Sequence, residues 1–193
     1  MKQILLLLSE GFEILEASVF IDVFGWNLVE GDGSTQLFTC GLKKEIPCAF
    51  NQRFIVDHLI DDISVDDFEA LAIPGGFEEY AFYKESFNPR TLRLIDKFNH
   101  QNKIIASICV GALVLGKAGI LKKKNATTYQ LNKVRQEALK KFGANVLDEP
   151  IVIDDNIITS CGPSTAIEVA FILLEKLTST QNAYHIKNIM GFC

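Results

Sequence analysis

The sequence of 193 residues lacks several patterns that define large classes of protein. No stretch approaches the ~18 consecutive apolar residues of a membrane helix, so we expect no membrane span. Acidic residues outnumber lysine and arginine, 24 to 19, and the net charge of -5 is unlike that of nucleic-acid-binding proteins. The basic run at Lys122–Lys124 is short and is explained by a solvated helix terminus. We therefore expect a globular protein whose partner is neither a membrane nor a nucleic acid.

Metal-binding and disulfide patterns are also missing. The five cysteines are odd in number and show no CxxC or zinc-like spacing. They are Cys40, Cys48, Cys109, Cys161 and Cys193. We expect no metal site, no cofactor, and free thiols in a reducing cytoplasm. The apolar run from Ile4 to Leu8 is too short for a secretory signal, and no small-residue cleavage site follows it.

Strand and helix patterns alternate along the chain. The predicted strands are Gln3–Leu8, Thr35–Cys40, Glu69–Ile73, Lys103–Ile108, Ile151–Ile153 and Ile157–Ser160. The predicted helices are Phe12–Val29, Pro89–Asn99, a segment from Val110, Gln130–Phe142 and, as the last one, Pro163–Leu177. The alternation predicts one α/β domain over residues 1–193, with a mostly parallel sheet and helices on both faces. Sites in such sheets form at the carboxyl ends of the strands, where Ser9–Gly11, Pro74–Gly76 and Cys109 fall.

Cys109 occupies the corner between a buried strand and a helix. A sharp turn of this kind strains the residue at its tip and needs small residues two positions before and after, which Ser107 and Gly111 provide. Unpaired N–H groups at the start of the helix favour negative charge, so we expect a lowered thiol pKa. The alternative is a buried structural cysteine, but the strand, the small flanks and the helix together favour a nucleophile.

Glu16 falls on the apolar face of the first predicted helix, in the stripe that contains Phe12, Val19 and Phe20. A buried carboxyl must be protonated or paired. We expect a neutral acid that donates its proton to the Cys109 sulfur, so that Glu16→Gln raises the thiol pKa. The alternative is an exposed acid at a helix start.

Gly75 and Gly76 follow a buried strand. Two glycines allow close approach of a ligand, and their N–H groups can hold a developing oxyanion, although a plain tight turn gives the same pattern.

In this order Glu16, the PGG turn and the cysteine elbow resemble the ThiJ/PfpI superfamily, in particular the branch of the parkinsonism-associated deglycase and its bacterial thiamine-operon relatives. The resemblance includes "EGFEILEASVFIDVF", "ALAIPGG", "ASICVGALVLGKAGIL", "NATTY" and "NIITSCGPSTAIEVAFILLEKL". It implies a flavodoxin-like three-layer sandwich and a homodimer. Cys109 matches the family's reactive cysteine and Glu16 its acid partner, while Gly76 and Val110 match the oxyanion-hole positions.

Three positions, Val110, Tyr129 and Cys161, depart from the family pattern, and a fourth, His185, differs from the pattern of a related class. Val110 replaces the histidine of the peptidase branch, and His185 lacks the His-x-Glu context of the glutamine amidotransferases. Tyr129 replaces a histidine found in many relatives, and a phenol is a poor base at neutral pH. Cys161 replaces an arginine of the deglycase branch, and its place after a strand predicts that it opens onto the same pocket as Cys109.

Two functions therefore stay open at this point. The first is a glyoxalase III or deglycase type of enzyme, in which Cys109 attacks an aldehyde and Glu16 moves the proton. The second is a redox sensor or stress protein in which Cys109 is oxidised to a sulfinate. Isocyanide hydration is disfavoured because its usual acid is an aspartate, and peptidase or amidase chemistry is disfavoured by Val110.

Overall fold

A computed structural model describes residues 1–192 of the chain. The strands are β1 (Lys2–Leu7), β2 (Thr35–Gly41), β3 (Glu45–Pro47), β4 (Arg53–Ile55), β5 (His58–Leu59), β6 (Ala70–Ile73), β7 (Ile104–Ile108), β8 (Asn125–Ala126), β9 (Asn145–Val146), β10 (Ile151–Asp154) and β11 (Ile157–Ser160). The main sheet has the order β10-β11-β7-β6-β1-β2-β5. All its pairings are parallel except that of β10 with β11. The remaining strands form two small pairs, β3 with β4 and β8 with β9.

Helices cover both faces of this sheet. They are α1 (Ile14–Glu30), α2 (Phe82–Ser86), α3 (Pro89–His100), α4 (Gly111–Lys117), α5 (Lys133–Lys141), α6 (Ala166–Leu177) and α7 (Thr180–Ile189). The connection from β1 to β2 runs toward one edge of the sheet, and that from β6 to β7 runs toward the other. Because such crossovers are right-handed, α1 and α3 lie on opposite faces. Helices α6 and α7 pack with α1, and α2 and α4 pack with α3, which confirms the predicted sandwich.

The core consists of apolar side chains from the central strands and the inward faces of the helices. In β1, the residues from Ile4 to Leu7 are at most 2% exposed, so this strand is covered on both sides. The continuous apolar run in the sequence is therefore the signal of a doubly covered parallel strand. Within residues 1–192, no helix combines the length and apolar character that crossing a membrane needs.

Helix boundaries differ from the predictions where tertiary contacts override local pattern. The first helix begins at Ile14 because Phe12 pairs with Gly76 and the Glu13 N–H donates to the Gly75 carbonyl, which keeps residues 12–13 extended. The helix predicted from Gln130 begins at Lys133, where the Asn132 side chain accepts from the Val134 N–H.

The C-terminal prediction was incomplete in two respects. Residues Pro163–Thr165 form a 3-10 turn before α6 begins at Ala166. A further helix, α7, follows it and buries only Ala183 and Ile186 among its ten residues. Its narrow apolar face gave a weak helical pattern, and its start depends on the Ser179 side chain, which accepts from the Asn182 N–H.

Candidate active site

Cys109 lies directly after β7 in a left-handed backbone conformation, with φ of 57°. Its N–H donates to the Ser160 carbonyl at 2.9 Å, and its carbonyl accepts from the Thr128 hydroxyl at 2.9 Å. Such a conformation costs about 1–3 kcal/mol in a residue other than glycine and persists where surrounding contacts fix it. The strained elbow predicted from the sequence is confirmed, and Thr128 is a supporting residue that the sequence reading did not identify.

The small residues around the elbow are required by its packing. A Cβ atom at Gly111 would lie 3.0 Å from the Ile73 carbonyl oxygen and 3.2 Å from that of Pro74. Ser107 is fully buried in β7. The elbow is therefore pressed against the carboxyl end of β6, which brings the PGG turn to the thiol.

Glu16 projects from the first turn of α1 into the same corner and is 1% exposed. Its Oε2 accepts from the Gly75 N–H at 2.6 Å. A Cβ atom at Gly75 would lie 2.9 Å from this oxygen and 3.0 Å from the Cys109 Cβ, so only glycine allows the approach. The other oxygen, Oε1, is buried and has no hydrogen-bond partner within residues 1–192. The prediction that Glu16 is a buried acid beside Cys109 therefore agrees with the structure.

The carboxyl and the thiol influence each other's ionisation. Burial raises the pKa of Glu16 to about 8, the Gly75 hydrogen bond opposes this shift, and the charge of Glu13 adds to it. Burial also raises the pKa of the Cys109 thiol, and an ionised Glu16 raises it further, whereas the Val110 N–H lowers it. The expected lowering of the thiol pKa is therefore wrong, because desolvation outweighs the helix start.

This arrangement gives Glu16 the properties of a general base. Two neighbouring buried acids carry at most one negative charge near neutral pH, and here it forms on Glu16 as the pH rises through about 8. A carboxylate with a pKa near the working pH can accept the thiol proton while sulfur attacks a carbonyl. Glu16 is thus placed, by its burial and its pKa of about 8, where it can accept the thiol proton.

The thiol titration of a Glu16→Gln variant tests this coupling. Because the amide carries no charge, we expect the pKa of Cys109 to fall, the opposite sign to the sequence-based expectation. The measurement is the pH profile of Cys109 alkylation by iodoacetamide, followed by mass spectrometry. A midpoint at higher pH in the variant would show instead that neutral Glu16 stabilises the thiolate by donating its proton.

The two glycines of the PGG turn have different roles. Gly75 was predicted as an oxyanion donor, but its N–H is bonded to Glu16 and is not available, so that prediction is corrected. The Gly76 N–H has no acceptor in the described part of the chain, and the Val110 N–H faces the Cys109 sulfur. Both residues line the cavity beside the thiol. Gly76 and Val110 are therefore the donors suited to an oxyanion.

Cys109 and Glu16 open onto a cavity of about 300 Å³. Tyr129 lines it, as the sequence suggested, together with Gly76 and Val110. Cys161 is not among its lining residues, and its N–H donates to the Pro150 carbonyl at the edge of the sheet. The prediction that Cys161 shares this pocket is therefore not met, and its influence on Cys109 stays a prediction. The volume is at the small end of the range for ligand sites and suits a small molecule.

Several lining residues were missed by the sequence reading. They are Glu13, Phe77, Glu78, Glu79, Asn132, Arg135 and Pro163. Arg135 forms an ion pair with Glu78 at 2.6 Å and lies 5.1 Å from the centre of the Tyr83 ring. Five of the missed residues come from the segment after the PGG turn and the start of α5, whose sequences are mostly polar, while Glu13 precedes α1 and Pro163 follows β11.

Among the described residues, Cys109 is the one cysteine that lines the cavity, and no histidine does. Cys40 and Cys48 are buried, and burial raises the pKa of both thiols. Cys193 lies outside the described residues. His58, His100 and His185 do not line the cavity. Within residues 1–192, no three histidine, cysteine or acidic side chains converge as ligands for a metal ion.

Comparison with known proteins gives consistent matches. The profile of the DJ-1/PfpI family matches residues 2–176. An uncharacterized protein from Methanocaldococcus jannaschii is 36% identical over 126 residues, which are 64% of this chain and 59% of that protein. A Caenorhabditis elegans protein named glutathione-independent glyoxalase DJR-1.2 is 30% identical over 174 residues, which are 90% of this chain and 87% of that protein.

The fold matches as well. The crystal structure of Drosophila melanogaster DJ-1beta has a TM-score of 0.85 at 23% identity, covering 98% of this chain and 97% of that one. The aligned part is only 28% to 59% of the length of the archaeal protein and three Arabidopsis thaliana DJ-1 homologs. A Thermococcus kodakarensis relative is named a deglycase, and a Bacillus subtilis relative is described as a candidate cysteine protease.

Proposed function

The chain belongs to the DJ-1/PfpI family, and from this premise we propose that it is a cysteine-dependent enzyme of the glyoxalase III or deglycase type. The substrate is a small reactive aldehyde. The observation that carries the proposal is the buried Glu16 carboxyl beside the Cys109 thiol, at the wall of a cavity of about 300 Å³. Relatives named as a glyoxalase and a deglycase support the reaction class.

The first step is addition of the thiol to the aldehyde. Sulfur of Cys109 bonds to the carbonyl carbon, its proton passes to the Glu16 carboxylate, and the carbonyl electron pair moves to oxygen. The N–H groups of Gly76 and Val110 stabilise the oxyanion, a contribution of about 2.7–4 kcal/mol per donor in other enzymes. Protonation of this oxygen gives the hemithioacetal.

With methylglyoxal, lactate is the product. A proton leaves the former aldehyde carbon, a proton is added to the neighbouring carbon, and water hydrolyses the resulting thioester. The sum is methylglyoxal plus water giving lactate, with no external oxidant or reductant. Glu16 is the base adjacent to these atoms, and Tyr129 occupies the position where many relatives carry histidine.

The site also favours a second function, that of a redox sensor. The Glu16 carboxyl is mostly protonated at neutral pH, and its unpaired Oε1 lies in the same buried corner as the thiol. A protonated carboxyl can donate to an oxygen of a Cys109 sulfinate formed by peroxide. This function needs no base at position 129.

Parallel assays separate the two functions. The protein is incubated with methylglyoxal while lactate is quantified, and a second sample is treated with mild peroxide before mass spectrometry of each thiol. We expect lactate to accumulate, faster as the pH rises toward 8, because more Glu16 is ionised. We also expect Cys109 to oxidise before Cys40 and Cys48, which are buried.

Each outcome has a clear meaning. Absence of lactate together with normal oxidation of Cys109 would leave the sensor function. Preferential oxidation of Cys40, Cys48 or Cys193 would contradict the assignment of Cys109 as the reactive thiol in either function.

A further inference from the structure

Acidic side chains outnumber basic ones among the residues that line the cavity. Three ionisable carboxyls besides Glu16 line it, from Glu13, Glu78 and Glu79, and the one lining cation among the described residues is Arg135. All four residues line the same cavity as Cys109. The opening toward the reactive sulfur therefore carries an excess of negative charge at neutral pH.

Arg135 does not offset the remaining carboxylates. Its guanidinium is paired with Glu78 at 2.6 Å and lies over the Tyr83 ring, 5.1 Å from the ring centre. Glu13 and Glu79 have no side-chain hydrogen bond or ion pair within residues 1–192. Two carboxylates without a counter-charge thus belong to the residues that line the cavity.

A separate observation concerns the polar group at the inner wall of this cavity, which is the carboxyl of Glu16 beside the Cys109 thiol. The Glu16 carboxyl lines it, is 1% exposed, and leaves Oε1 without a hydrogen-bond partner in the described part of the chain. A buried polar oxygen without a partner costs about 1–3 kcal/mol unless a ligand or water satisfies it. The acidic wall therefore borders the buried Glu16–Cys109 pair, whose Oε1 only the thiol or a bound ligand can satisfy.

We propose that Glu13 and Glu79 determine substrate specificity by charge, so that the cavity favours a small carbonyl compound carrying an ammonium group over an anionic one of equal size. Opposite charges attract across the small cavity, more strongly at the half-buried Glu13 than at the exposed Glu79, where solvent and salt screen the charge. α-Oxo acids are the disfavoured class. The inference rests on the proposed function only in that Cys109 is the group that meets the substrate.

The test uses reagents that report approach to Cys109 without turnover. Three methanethiosulfonates of similar size carry an ammonium, a hydroxyl or a sulfonate group. The Cys109 thiolate bonds to the sulfenyl sulfur of the reagent, methanesulfinate leaves, and the thiol proton goes to solvent. Mass spectrometry gives the rate at Cys109, and each rate is divided by that of 2-mercaptoethanol with the same reagent.

In the native protein we expect the normalised ammonium-to-sulfonate ratio to exceed unity by about tenfold or more at low salt, and to fall as salt is added. A change in the fraction of Cys109 that is ionised alters the rates of all three reagents by the same factor. The ratio of two rates is therefore independent of that fraction. The neutral reagent should give an intermediate rate.

Variants test the assignment in both directions. The double variant Glu13→Gln and Glu79→Gln should bring the ratio close to unity. Arg135→Gln should raise the ratio, because Glu78 then also lacks a counter-charge. Glu69→Gln is the matched control, since it removes an exposed carboxylate just before the amino end of β6, at the opposite end of this strand from the PGG turn. Circular dichroism confirms that each variant folds.

A native ratio near unity would overturn the proposal. A high ratio that neither the double variant nor Arg135→Gln changes would also overturn it, since the charge preference would then arise elsewhere. Because the readout is chemical modification, the proposal is tested even where methylglyoxal is not converted. If no lactate forms but the ammonium-to-sulfonate ratio is high and falls in the double variant, the result counts against the proposed reaction. The proposed selection by charge would then still hold.

Discussion

Turnover of methylglyoxal is expected to fall by about 10³-fold or more when Cys109 is replaced by serine, the scale seen when a catalytic nucleophile is removed. A serine hydroxyl is a much weaker acid than a thiol. Glu16, with a pKa of about 8, cannot readily accept its proton. The backbone should tolerate the change, because serine has nearly the same size and the contacts with Ser160 and Thr128 use main-chain atoms of residue 109.

The matched control is Cys161→Ser. Cys161 is the other partly buried thiol of the described chain and follows Ser160, the residue that accepts the Cys109 N–H. It does not line the cavity, so we expect turnover to change less than about twofold, as for a substitution outside the reacting atoms. The measurement is kcat/KM for lactate formation in both variants. Equal losses in the two would show that Cys109 is not the nucleophile.

The fold and the elbow could be predicted because their signals are local. Doubly covered strands appear as continuous apolar runs, and β11 was predicted with its observed ends, Ile157 and Ser160. The small residues at 107 and 111 mark the elbow, whose strain follows from the sharpness of the turn. Glu16 was found because one carboxyl interrupts an apolar helical stripe.

The rest of the site depends on contacts between distant parts of the chain. The role of Gly75 is fixed by a hydrogen bond to Glu16, 59 residues earlier in the sequence, which no local pattern contains. Arg135 and Asn132 reach the cavity because α5 packs against α4. The raised thiol pKa likewise follows from burial, which a cysteine at a helix start does not reveal.

Introducing a base at position 129 is expected to have the second large effect. Tyr129 lines the cavity with Cys109, and its position is fixed by Thr128, whose hydroxyl donates to the Cys109 carbonyl. The Tyr129 ring packs near Gly162, so the smaller imidazole fits the same space. Conversion of the hemithioacetal needs one proton removed and another returned, and a phenol is a poor base at neutral pH.

We therefore expect Tyr129→His to raise kcat for methylglyoxal by up to about 10²–10⁴-fold, the usual contribution of general acid–base catalysis. Oxidation of Cys109 by peroxide should be nearly unchanged, because that step uses no base at 129. Tyr129→Phe is the control, since it removes the hydroxyl without adding a base. An equal gain in the phenylalanine variant would mean that space, not proton transfer, limits the reaction. No turnover in any of the three proteins, with Cys109 still oxidised readily, would favour the sensor, because a missing base would then not explain the inactivity.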